Sequence, residues 1–165
     1  MFPSAARFNL LYRATRDGFS YSQFLNNCGN LNNLVIAVKT DTNYIFGGYA
    51  SVKWDTNIFD YDLPGCIADT NAFIFSLRRK GISNNEKFDI RDTENAICYP
   101  GASIAFGKPF SDIWIDPSMV VGHSGFGQSY KLPANLTIYS NDADSFLAGS
   151  YSDWKVVELE AFQVV

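Results

Sequence analysis

Five consecutive apolar residues, Leu34-Val35-Ile36-Ala37-Val38, constrain this chain more than any other stretch. A strand with no polar alternation must be covered on both faces, so the run belongs in the middle of a sheet with packed material above and below it. Asp41-Thr42-Asn43 supplies turn chemistry directly afterwards, and Tyr44-Ile45-Phe46-Gly47-Gly48-Tyr49 returns the chain as the second arm of a hairpin. Two glycines inside a strand weaken it, so they mark a bulge or a close approach of another backbone. Further strands are expected over residues 72–77, 96–99, 104–106, 113–115, 136–139 and 155–165, separated by clusters of Gly, Pro, Asn and Asp. Such connections are too short for helical crossovers, which predicts antiparallel pairing in a sandwich or barrel.

Composition supports a folded, mainly β chain. Its 165 residues suffice for one domain with a substantial core, and 47% hydrophobic against 18% charged residues excludes a disordered segment. The 14 phenylalanines and 9 tyrosines favour pleated surfaces over helices. One short helix is expected. Ser20 and Gln23 have capping-box spacing, Tyr21, Phe24, Leu25 and Cys28 form an apolar stripe, and Gly29 ends it. Residues 9–15 read as a strand leading to a turn at Arg16-Asp17-Gly18, where Asp-Gly tolerates positive φ.

The net charge of −4 argues against a nucleic-acid binder, which needs a basic face. The basic run Arg78-Arg79-Lys80 before Gly81 reads as a solvated loop after a strand. Cys28, Cys66 and Cys98 are widely spaced, with no CxxC pair and no neighbouring histidine, so reduced thiols in a cytoplasmic protein are expected. Asn135-Leu136-Thr137 is a glycosylation sequon, but residues 1–6 lack the apolar core of a secretory signal and no secretory leader is expected, and no apolar run is long enough to span a membrane. No membrane insertion is expected.

Chemistry-bearing patterns are few. Asp-Thr-Asn recurs at residues 41, 55 and 69, but the segments after each copy share only apolarity, so the triplet reads as repeated turn chemistry. Asp60-Tyr61-Asp62-Leu63-Pro64-Gly65 begins like a calcium loop, yet Pro64 and Asn71 stand where liganding oxygens belong. Asn141-Asp142-Ala143-Asp144 reads as a loop that caps the element after it. His123, the sole histidine, lies in Gly122-His123-Ser124-Gly125-Phe126-Gly127, which lacks nucleophile-elbow spacing and reads as a surface loop. No metal or other cofactor is expected. Glu158 and Glu160 in the last strand point to one face about 6.5 to 7 Å apart, a spacing that permits acid/base work. A strand with one wet face explains the same alternation, with Val157, Leu159 and Ala161 directed inward. A carbohydrate-binding sandwich is a second reading, in which Trp54, Trp114 and Trp154 form a stacking platform. A thiol or carboxylate enzyme acting on peroxide is a third.

Taken in order, Leu10 to Ser20 with Phe24 and Cys28, Ile45 to Trp54, Asn71 to Leu77, Gly101 with Phe106-Gly107, and Leu147-Ala148-Gly149 through Glu158, Glu160 and Phe162 resemble the TLDc family. The resemblance covers nearly the whole chain, and it implies a two-sheet antiparallel β-sandwich with a few short flanking helices. It further implies a module without established catalysis, linked to oxidative-stress resistance, whose protein partners include subunits of the vacuolar proton-pumping ATPase. The family's glycines fall on Gly18, Gly48, Gly101 and Gly149, for which a structural role is expected, and its terminal acidic positions on Glu158 and Glu160, candidate anchors for a partner or a loop amide. TLDc domains also occur beside TBC, LysM or BTB-type domains. Residues 1–165 therefore read as a single TLDc-like domain, with two alternatives open: a whole protein, or one domain of a larger one.

Overall fold

In the computed structural model, residues 2–54, 65–98 and 103–165 are described. Among them the chain runs β1 (Phe8–Arg13), α1 (Ala14–Asp17), α2 (Tyr21–Cys28), β2 (Leu34–Thr40), β3 (Ile45–Ala50), β4 (Cys66–Ile67), β5 (Phe73–Arg79), β6 (Ile82–Asp89), β7 (Ile97–Cys98), β8 (Ile104–Phe106), β9 (Ile113–Ile115), β10 (Val121–His123), α3 (Asn141–Asp144) and β11 (Ser152–Val164). Every pairing is antiparallel. The mainly β fold with short helices is thus the one read from the sequence.

The strands lie on one hydrogen-bonded path, β4-β7-β8-β9-β10-β11-β2-β3-β5-β6, with β1 added on β11, and its two halves share β11. The long closing strand makes the join. Its first residues pair with β10 and its later ones with β1 and β2, so β11 carries the ladder from one half to the other. The two halves face each other across a common core. A Cβ on Gly48 of β3 would stand 2.5 Å from the ring of Phe106 in β8, and Phe46 of β3 meets Trp154 edge-on at 5.2 Å. The close approach expected at Gly47-Gly48 is therefore real, and Gly48 leaves the space that the Phe106 ring fills.

β2 is covered on both faces, as its composition requires. Leu34, Ile36 and Val38 belong to the main core, whereas Val35 joins Phe73 and Phe75 in a second cluster on the outer face, against Phe2, Tyr49 and Phe162. Helix α2 closes the main core with Phe24, whose ring meets Tyr12, Tyr21 and Trp54 at 5.6 to 5.9 Å. Ser20 is its N-cap residue, but the capping box does not form. The Ser20 hydroxyl pairs with that of Ser22, and the Tyr21 N–H donates to the carbonyl of Pro117, a tertiary partner for a helix-start donor.

Four further expectations are corrected. Residues 136–139 form turns, because Tyr139 takes φ 64° and the Ser140 hydroxyl folds back onto the Thr137 carbonyl. The basic run is no loop: Arg78 and Arg79 lie in β5, and Lys80-Gly81 is a two-residue hairpin turn with both residues at positive φ. That turn produces β6, whose polar Ile82-Ser83-Asn84-Asn85-Glu86-Lys87 sequence carries little strand signal. Gly122 lies in β10 and residues 124–130 are buried, so the histidine segment is core structure and not a surface loop. Finally, Cys66 and Cys98 are cross-strand partners joined by a disulfide, S–S 2.00 Å, in place of reduced thiols.

Candidate functional site

The two terminal glutamates are held by the start of the chain. Because β1 pairs with the last residues of β11, the single turn α1 lies beside Glu158 and Glu160. The Glu158 carboxylate accepts the Thr15 N–H at 3.2 Å and the Thr15 hydroxyl, and it also accepts the Leu159 N–H at 3.0 Å. Glu160 accepts the Arg13 guanidinium, with both Nε and a terminal nitrogen 2.6 Å from Oε1. Asp17 completes the cluster. It accepts the Arg13 N–H and pairs with Arg16, whose guanidinium is the main cause holding its carboxyl down to about 2. The carboxylates with acid/base spacing are thereby turned to backbone amides of α1 and β11 and to an arginine of the same chain.

Their faces differ from the expectation at one residue. The register of β11 against β2 shifts between Val156 and Glu158, a β-bulge in which Val157 is the extra residue. Trp154 and Val156 point inward before the bulge, Leu159 and Ala161 after it, and Val157 is 39% exposed.

Three of the four glycines can be placed. Gly18 caps α1 at φ 100° with open space around it, so its role is conformational. Gly48 is a close approach. Gly149 combines both, with φ 88° and a Cβ position 2.9 Å from the Tyr44 ring. Gly101 lies outside the described residues, as do residues 60–64 of the calcium-like segment and the Asp-Thr-Asn triplet beginning at residue 55. Asn141-Asp142-Ala143-Asp144 forms α3, capped by the Ser140 side chain accepting the Ala143 N–H.

The tryptophan platform does not form. Trp54 and Trp154 are buried, with the Trp54 indole N–H donating to the Tyr21 hydroxyl at 3.2 Å. Trp114 alone is half-exposed, and it builds something else. His123 is its cross-strand neighbour and stacks on it at 4.8 Å and 18°, while Tyr151 stacks on the other side of the imidazole at 5.9 Å and 29°. His123 Nε2 lies 3.1 Å from the Phe110 carbonyl oxygen, and burial lowers its pKa against that hydrogen bond. Sequence reading missed this triple stack. A period-two signal was present in Ile113-Trp114-Ile115, but nothing local announces that residues 114 and 151 stack on residue 123.

Asp112 was missed as well. It is fully buried and accepts the backbone N–H groups of Gly127, Gln128 and Ser129 at 2.7 to 3.0 Å, so it organises the segment after β10. Burial pushes its carboxyl up to about 7 against the pull of those donors. The remaining thiol, Cys28, is buried under α2 and is pushed up to about 12, chiefly by that burial. At neutral pH almost none of it is thiolate. Among the described residues no three His, Cys, Asp or Glu side chains are grouped as a metal site would require. No helix among them is long and apolar enough to cross a membrane.

A family model for the TLDc domain matches residues 2–165. The chain belongs to the TLDc domain family. The match takes in the β1 to α1 turn, the Gly47-Gly48 strand and the closing strand β11, so this TLDc chain carries the family's ordered segments on one continuous ladder. No curated protein matches it.

Proposed function

We propose that this TLDc chain is a protein-interaction module that works without catalysis, in oxidative-stress resistance, by binding subunits of the vacuolar proton-pumping ATPase. The observation that supports this reading most is the family match over residues 2–165. The use of Glu158 and Glu160 as intramolecular anchors fits it, since neither carboxylate is held ready for proton transfer. The carbohydrate-binding reading is weaker, because two of its three tryptophans are core residues.

The test is co-purification. The chain, immobilised, is mixed with purified soluble subunits of the proton pump; retention of a subunit at stoichiometric level is expected. Recovery of none from purified subunits, with the chain folded by circular dichroism, would sink the proposed partner.

A further inference from the structure

Eight large apolar side chains stand exposed among the described residues, and three of them, Phe110, Tyr139 and Tyr151, converge on one depression of about 220 Å³. Gly125, Gln128 and Asp144 complete its lining. Contacts within the fold hold parts of its walls. Tyr151 is stacked on His123, which is stacked on Trp114 in the sheet. The Ser124 N–H donates to the Tyr151 carbonyl and the Gly125 N–H to that of Ser111, both at 2.8 Å, while His123 Nε2 lies 3.1 Å from the Phe110 carbonyl oxygen. The Tyr139 hydroxyl reaches Gln128 Oε1 at 3.4 Å. Asp144 is half-buried here, and its carboxylate has no hydrogen bond or ion pair among the described residues.

Three aromatic side chains and one carboxylate without a counter-ion among the described residues line the same depression, a composition complementary to a cation. Ring faces attract an ammonium or guanidinium group, arginine more often than lysine, and a planar guanidinium can also bond a carboxylate in two-pronged fashion. No lining residue is basic, and the chain's net charge of −4 favours a basic partner. The volume is below that of pockets for drug-sized ligands, which span about 300 to 1,000 Å³, and suits one side chain. A sugar would need several polar partners, and Gln128 Oε1 is already engaged by Tyr139.

We propose that this depression is an arginine pocket, in which the guanidinium of a partner polypeptide is received among Phe110, Tyr139 and Tyr151 and is held by the Asp144 carboxylate. The proposal does not depend on which protein supplies the arginine.

The experiment is an NMR titration of the full chain with a blocked Gly-Gly-Arg-Gly-Gly peptide, its citrulline counterpart, tetramethylammonium and a neutral oligosaccharide. Saturable shifts of the Gly125 and Tyr151 amides and the Trp114 indole are expected for the arginine peptide alone, with a Kd of about 1 mM for a single side chain. Asp144→Asn and Tyr139→Ala should each weaken it at least about tenfold, and Tyr139, 65% exposed, can be truncated without loss of core packing. Equal shifts by the citrulline peptide, which has no charge, would overturn the proposal on wild-type protein alone. So would unchanged affinity in both variants, no shifts with the arginine peptide, or shifts at these signals from tetramethylammonium or the oligosaccharide in its place.

Discussion

A carboxylate is free for chemistry or for a partner only where the fold leaves its oxygens unclaimed. Glu158 and Glu160 fail that condition, since Thr15, Leu159 and Arg13 occupy them, whereas among the described residues nothing claims the carboxylate of Asp144. The same distinction between space and conformation separates the glycines. Gly18 needs its positive φ and has room for a side chain, but Gly48 has ordinary backbone angles and no room. Gly48→Arg should therefore displace the Phe106 ring and cost at least about 3 kcal/mol, because overpacking and a buried charge act together. Thermal melting checks this directly. An unchanged melting temperature with binding of a partner lost would show that Gly48 acts at a surface, and the core account would be wrong.

At the scale of elements, the closing strand does two jobs, and the bulge at Val157 is what allows them. It resets the alternation so that Trp154, opposite β10, and Val156, opposite Thr40 of β2, face the core before the bulge, and Leu159 and Ala161, opposite β2, face it afterwards. Val157→Lys should then stay within about 0.5 kcal/mol of wild type, while Leu159→Lys, at a fully buried position, should cost more than about 4 kcal/mol or prevent folding. Denaturant midpoints of the two variants decide the register. If both were equally destabilised, the bulge would be misplaced. The second element-level prediction concerns the bridge between β4 and β7. It closes a loop with a sequence separation of 32, so Cys66→Ser with Cys98→Ser should lower stability by about 3 to 4 kcal/mol. Thiol titration of the denatured, unreduced protein should count one thiol, Cys28; three would contradict the bridge.

For the whole molecule, two carboxylates bias stability in opposite pH windows. Asp112 has a folded pKa raised to about 7, above its ordinary 3.8, so the stability it contributes is complete below the ordinary value and is lost as pH rises toward 7. Asp17 is held at about 2, so its contribution is present above 3.8 and is lost as pH falls toward 2. Together they place the best stability from these two groups near pH 4. Urea unfolding at intervals from pH 4 to 7 should show a decline, on the order of a few kcal/mol, that is absent in Asp112→Asn. A parallel decline in that variant would remove Asp112 as its cause.

What the sequence determined by itself was carried by short-range pattern. The unbroken apolar run from Leu34 to Val38 required a strand covered on both sides, and Val35 on the outer cluster with Ile36 in the core is that requirement met. Asp41-Thr42-Asn43 and Gly47-Gly48 announced the hairpin and a close approach because turn chemistry and steric space are local properties. The tertiary structure decided what depends on residues far apart in the chain. Strand β6 exists because β5 offers it an edge through a two-residue turn, against its own polar composition. The Trp114, His123 and Tyr151 stack, the pairing of Cys66 with Cys98, and the capture of Glu158 and Glu160 by residues 13–15 all arise from strand order, and strand order leaves no mark within any one segment. The sharing of β11 by the two halves of the ladder is of the same kind, since its partners β10 and β2 lie far from it in the chain.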